Sequence, residues 1–421
     1  MKVAVFLNGL GVGGTEKAAC RWARGLAARG HEVKALALHD GPQRAEFEAA
    51  EIETRVVAGS PEVLAEQLRA WRPDAIHAHA PGHPHEGDVL GRALNILPKI
   101  PVVQTNVFGQ FENPREDRWT DFRLFVSWTS GVQAARRSFQ KLDEAFFRRA
   151  SVAVNPLDAD DGPSLEEIAR FREAYGVQPG EILFGRLSRP EPNKWTDLPI
   201  ESFRRALQTN PRLKLLLREP PGTVAEELAR SPDRDRFLIL KATSDREELR
   251  RTIGSLDVVL HTSSMGESFG YGIAEPMNFG KPVITNSTPW ADQAQIELVR
   301  HGECGFVAST PPAIAQAMLV LASDAELRRR FGRAAQAHIR AVATPEESLD
   351  RLEGALTAAV AGRENPRLAE DHAKAKETAA YLDAQQFGHS WREQLALRPF
   401  YYRVRFHQWR KEHLFASRAG K

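Results

Sequence analysis

The chain has 421 residues, of which 42% are hydrophobic and 27% charged, and its formal net charge at pH 7 is +2. That length allows two to three domains with full-sized cores. The near-balanced charge gives no reason to expect a nucleic-acid partner, and the longest apolar runs, such as that near Leu356–Val360, fall far short of a membrane span.

Taken in order, MKVAVFLNGLG has a short apolar core that soon gives way to glycines, and it reads as a buried first strand, not a signal peptide. TEKAACRWARGLAARG follows as a helix closed by Gly30, and HEVKALAL as a second strand. Further strands read at PDAIHAHA, IPVVQTNV, FRLFVSW and SVAVN. Short β-rich runs separated by amphipathic helices argue a parallel sheet covered on both faces. PLDADDGPSLEE, from Pro156, is polar and turn-rich and reads as a linker. A second alternating series then runs through EILFGRLS, LKLLLRE, RFLILKA, DVVLHTSS and KPVITNST, and the chain turns helical from Pro311 to about Gly362. The pattern predicts an α/β chain with two doubly wound, Rossmann-like halves and a ligand crevice at their carboxyl-end loops. Boundaries are expected at 1–160 for the first domain and 161–384 for the second with its trailing helices.

From Phe387 to Lys421 there are eight Lys/Arg against two Glu, and eight of the 34 aromatics. Residues 385–421 are expected to pack back on the first domain through an aromatic stripe that includes Tyr402, Phe406 and Trp409. A peripheral contact with an anionic membrane surface is the other reading of this tail. Two cysteines, Cys20 and Cys304, cannot build a disulfide framework. They point to a reducing compartment, so a cytoplasmic protein is expected, with the tail at the inner face of the membrane if it binds there.

Gly9, Gly11 and Gly14 of GLGVGG satisfy GxGxxG by count, and Asp40 follows the second strand where a ribose-binding acid of a dinucleotide fold belongs. That combination supports a nicotinamide-dependent oxidoreductase as one reading. The glycines also expose backbone N–H groups at a helix start, suited to an anion or a sugar. Thr15 and Glu16 fit ordinary capping preferences there, which leaves a purely structural role open.

The second half carries more chemistry. GRLSRPEPNKW supplies Arg186 and Lys194 from a loop after a strand, a bidentate binder and a point charge able to clamp a diphosphate. In HTSSMGESFGYGIAEPMNFGKPVITNSTP, Gly270 and Gly272 let backbone N–H groups approach a diphosphate at a helix start. Glu267 and Glu275 are then directed at hydroxyls on either side of it.

The spacing of Glu267 and Glu275 across seven residues, the GKPV that follows, the GRL…K element and the opening GVGGTE together resemble retaining GT-B glycosyltransferases of family 4, also called group 1. The likeness covers roughly residues 1–345. It implies a GT-B fold, two Rossmann-like domains facing a central cleft, with a C-terminal helical segment crossing back to the N-terminal domain. It also implies transfer of a sugar from a UDP- or GDP-sugar, without a metal or other cofactor, to a glycan, lipid-linked or small-molecule acceptor. By the same resemblance Glu275 binds the ribose and Glu267 the sugar hydroxyls, while Arg186 and Lys194 neutralise the departing diphosphate. Ser268, Phe269 and Gly270 stand at the backbone cradle, Lys241 near the base, and Gly13, Gly14 and Thr15 on the acceptor side. Asn106 occupies the place where relatives often carry a histidine near the reaction centre, which brings His79 into consideration for the chemistry. Pro276 replaces a common alanine and removes one helix hydrogen bond. The RPEPN insertion makes Arg189 a competitor to Lys194. Assembly of surface polysaccharide or lipopolysaccharide is the pathway the family suggests, and a catalytically silent glycan binder is the alternative.

Two features mimic metal sites. His77, His79, His83 and His85 cluster in sequence, but Pro81, Gly82 and Pro84 bend the last two away; a polar acceptor-site role for His79 and a structural one are the competing readings. Asp158–Asp161 spells DADD within the linker, where solvated charge is expected. Cys20 reads as a packing residue.

Overall fold

The computed structural model describes residues 1–80, 88–108, 118–138, 140–187, 194–243, 245–289 and 291–384. The chain forms two compact units, one of residues 1–159, 268–271 and 339–382, the other centred on 160–267 and 272–338.

The first unit is built on a seven-stranded parallel sheet of β1 (Lys2–Gly9), β2 (Glu32–His39), β3 (Glu53–Val56), β4 (Ala75–Ala80), β5 (Val102–Asn106), β6 (Phe122–Phe125) and β7 (Ala150–Val152). Their spatial order is β3-β2-β1-β4-β5-β6-β7. Because side chains alternate along a strand, β1 serves two cores at once. Val3, Val5 and Leu7 face one cluster, which includes Trp22 and Leu26 of the Gly14–Ala28 helix. Ala4 and Phe6 face another, with Leu64, Ala65 and Leu68 of the Pro61–Trp71 helix. A strand covered on both faces tolerates no polar alternation, which explains the continuous VAVFL run.

The C-terminal helices correct the expected boundary. The return to the first unit begins at residue 339, well before the tail to which it was assigned. Leu349, Leu352, Ala355 and Leu356 of the Pro345–Ala361 helix join the core of Val3, Val5 and Trp22. Seen from the sequence, that helix shows an apolar face but not which sheet covers it. Its neighbour, Leu368–Ala384, is held by a buried polar cluster. Asp371, with no exposed surface, accepts from Arg351 at 2.6 Å, Ser151 at 2.6 Å and Asn365 at 2.8 Å. Residues 385–421, including the aromatic stripe, lie outside the described residues, as do His83, His85 and Arg189.

The second unit holds a six-stranded parallel sheet of β8 (Ile182–Arg186), β9 (Leu213–Arg218), β10 (Phe237–Leu240), β11 (Val258–His261), β12 (Val283–Thr285) and β13 (Gly305–Val307), ordered β10-β9-β8-β11-β12-β13. In each sheet the order reverses once, between β1 and β4 and between β8 and β11. Open α/β sheets bind ligands outside the carboxyl ends of the strands at that reversal. Among the described residues no helix is long and apolar enough to cross a membrane.

Candidate functional site

Arg186 ends β8 and His261 ends β11, so the two side chains flank the reversal of the second sheet. Beyond His261 the chain makes a tight, heavily pinned loop. Ser263 N–H donates to Asn286 Oδ1 at 2.9 Å, and Asn286 Nδ2 returns a bond to the Ser263 carbonyl at 2.9 Å. Gly266 sits at φ +68°, and a Cβ there would fall on the Asp292 carbonyl and Thr288 Oγ1, so the turn is open to glycine alone. Glu267 follows, its N–H donating to Gln295 Oε1 at 3.0 Å and its carbonyl accepting from Ala294 N–H at 2.8 Å. Gln295 in turn donates to Thr288 Oγ1 at 2.7 Å.

So fixed, the Glu267 side chain is 12% exposed and lies between two donors. His261 Nε2 is 3.1 Å from Oε1, and Lys194 Nζ is 3.4 Å from each oxygen. Burial raises the carboxyl pKa, but the bond from His261 and the charge of Lys194 outweigh it and bring the group to about 2. Glu267 is therefore an ionised acceptor at every physiological pH. Arg186 is fully buried, its guanidinium 4.2 Å from the centre of the Trp195 ring and its Nη2 donating to the Lys194 carbonyl at 3.3 Å. Burial lowers its pKa to about 10, opposed by the nearby Glu267 charge, so it remains cationic. Two cations and one carboxylate thus gather beyond the carboxyl ends of β8 and β11.

Glu275 is half-buried on the Tyr271–Asn278 helix, which runs through Pro276 without breaking. Pro276 has no N–H to donate to the Gly272 carbonyl, so this short helix goes without that one bond. Arg218, at the end of β9, is also half-buried; burial lowers its pKa, countered by Glu219, Glu275 and Glu248. Lys241 is exposed beyond β10. Sequence reasoning missed His261, Trp195, Gln295 and Arg218, although His261 and Trp195 stand in the stretches that carry the pattern.

Ser268–Tyr271 count with the first unit. There the Ser268 carbonyl accepts from Ser127 Oγ at 2.6 Å, Phe269 is buried edge-on to Tyr271 with ring centres 4.9 Å apart, and Gly270 takes φ +94°. Gly13 caps the Gly14–Ala28 helix in extended conformation, with Thr15 half-buried in its first turn. The Glu16 carboxylate lies where a Cβ of Gly13 would be, so this helix start already carries its own anion. A neutral hydroxyl suits it better than the phosphate of a dinucleotide. Asp40, exposed, is engaged by Arg44 at 2.9 Å and by Gly41 N–H at 2.9 Å.

His77 and His79 share the β4 face that looks into the core, their ring centres 4.2 Å apart. His77 Nε2 pairs with Thr105 Oγ1 at 2.8 Å, and His79, 1% exposed, leaves Nε2 without a partner among the described residues. Burial holds both rings neutral, His79 at about 3. Asn106, also buried, ends β5 beside Ala80. Among the described residues no three His, Cys, Asp or Glu side chains form a metal-holding group. The DADD acids are ion-paired and not simply solvated: Asp160 with Arg250 at 2.9 Å, Asp158 with Arg21 at 3.5 Å. Cys20 packs in the core of the first unit.

Two family models match the chain, a glycosyl transferase 4-like domain over residues 13–160 and glycosyl transferases group 1 over residues 167–338. Among solved structures, HepE of Anabaena in complex with UDP-glucose is 19% identical with a TM-score of 0.70, covering 85% of this chain and 100% of its own. A glycosyltransferase from Rickettsia africae is 14% identical with a TM-score of 0.71, covering 85% and 98%. WaaG, a glycosyltransferase involved in lipopolysaccharide biosynthesis, is 14% identical with a TM-score of 0.59, covering 83% and 98%. Likenesses of this size establish a shared GT-B fold. No curated protein matches the chain in sequence.

Proposed function

The chain belongs to the group 1 glycosyltransferases, and from that premise we propose that it moves a sugar from a nucleotide diphosphate sugar to an acceptor hydroxyl with retention at the anomeric carbon. One observation carries the reading: an ionised Glu267 beside Lys194 and Arg186 at the reversal of the second sheet. Cleavage of the bond between the anomeric carbon and the diphosphate oxygen leaves positive charge on the sugar and negative charge on the leaving group. Arg186 and Lys194 meet the second, and hold the diphosphate without a metal. Glu267 accepts from sugar hydroxyls, and Glu275 from the ribose. The acceptor oxygen attacks from the face the diphosphate leaves, which takes up the acceptor's proton. HepE, with UDP-glucose bound, supports a uridine donor; WaaG supports an acceptor in surface glycan or lipopolysaccharide assembly. In this reading the first unit serves the acceptor through Gly13, Gly14 and Thr15. Thermal shifts against UDP, GDP, ADP and their sugars identify the donor. Glu275→Ala is expected to weaken its binding and cut turnover by orders of magnitude; unchanged affinity and rate remove the ribose assignment.

A further inference from the structure

We propose that His261 is a positioning residue for Glu267, holding one carboxylate oxygen so that the other is left for a hydroxyl of the transferred sugar. The inference rests on the donor reading above and assigns the two oxygens different tasks. Oε1 receives both His261 Nε2, at 3.1 Å, and Lys194 Nζ, at 3.4 Å. Among the described residues Oε2 receives Lys194 alone, at 3.4 Å. A carboxylate offers about four lone-pair sites, two on each oxygen. Among the described residues both of those on Oε1 have a donor and one of those on Oε2 has none, which leaves it for an incoming O–H.

The ring is itself immobilised. It is 3% exposed, ends β11, and is followed by Thr262 and Ser263, which bond to Thr196 Oγ1 at 2.7 Å and Asn286 Oδ1 at 2.9 Å. Gly272 lies over the ring, with the site of a Cβ 3.5 Å from both Cε1 and Nδ1. Because an ionised carboxylate only accepts, the proton of this contact resides on Nε2, and the imidazole is the donor. The carboxylate is then oriented before any sugar arrives, and its rotation is not a cost of binding.

The test compares His261→Phe and His261→Gln with wild type, titrating UDP against UDP-glucose and GDP against GDP-mannose by calorimetry. For the pair that wild type binds, the ratio of sugar-nucleotide to nucleotide affinity isolates the sugar contacts. His261→Phe is expected to lower that ratio about tenfold while nucleotide affinity stays within about twofold, and His261→Gln, which keeps an N–H donor, to restore most of it. A ratio unchanged in His261→Phe overturns the proposal. Equal loss of both affinities, or failure of His261→Phe to fold with a folded His261→Gln that loses both, makes His261 merely structural and overturns it too. If wild type binds none of the four, and neither ADP nor ADP-glucose, the donor reading itself has failed, and the proposal with it.

Discussion

Glu267→Gln keeps the size and one acceptor of the side chain while removing its charge. The folded carboxyl titrates at about 2 against an ordinary 4.5, and each pH unit of lowering is worth about 1.4 kcal/mol. The ionised group therefore contributes about 3 kcal/mol to stability at neutral pH. Its folded pKa lies below the unfolded one, so the contribution is complete above about pH 5 and is lost as pH falls toward 2. About 2 kcal/mol of it is gone by pH 3. Denaturant unfolding followed by tryptophan fluorescence, for wild type and variant at pH 7, 5, 4 and 3, reads the gap between them. The gap should be about 3 kcal/mol at pH 7 and shrink to about 1 at pH 3. Equal stability at pH 7, or a gap constant across the range, refutes the idea that His261 and Lys194 hold this carboxylate charged.

Three further outcomes are expected. Gly266→Ala combines a left-handed backbone penalty of about 1–2 kcal/mol with displacement of the Asp292 carbonyl; donor affinity should fall more than the melting temperature, as calorimetry and thermal scans together will show. Asp371→Ala removes an acceptor shared by Arg351, Ser151 and Asn365, though Arg351 keeps Glu347 and Glu370, and should cost about 1–3 kcal/mol in denaturant unfolding. Burial pushes the Cys20 thiol up to about 11 and raises that of Cys304, so neither should react with a chromogenic disulfide at pH 8 until the protein is unfolded.

Much of this molecule is legible in its sequence where one residue type has one physical use. The continuous apolar runs of β1 and β9 announce buried parallel strands, and Arg186, Lys194 and Glu267 announce themselves by charge and spacing. Less is visible where a role depends on register. β3 has four residues, two of them exposed, and β13 has three, too few for a period to show. His261 matters because β11 lies beside β8, a pairing across more than 70 residues of chain. Asn286 and Gln295, the latter held by Thr288, pin the Glu267 loop from more than 20 positions downstream of the residues they bond, with no local pattern to mark them. The Pro345–Ala361 helix displays its apolar face plainly, yet nothing in that face names its partner.

That helix also sets a timetable. Every strand of the second sheet, and the helices that clothe it, are encoded before residue 338, whereas the core around Trp22 is closed by Leu349, Leu352, Leu356 and Ala359. Since domains fold as units during synthesis, the half that is translated first is the half that matures last. A nascent chain emerged only as far as residue 340 would carry a finished second sheet, while the amino-terminal sheet, covered on that face by the Gly14–Ala28 helix, still lacks Leu349, Leu352 and Leu356.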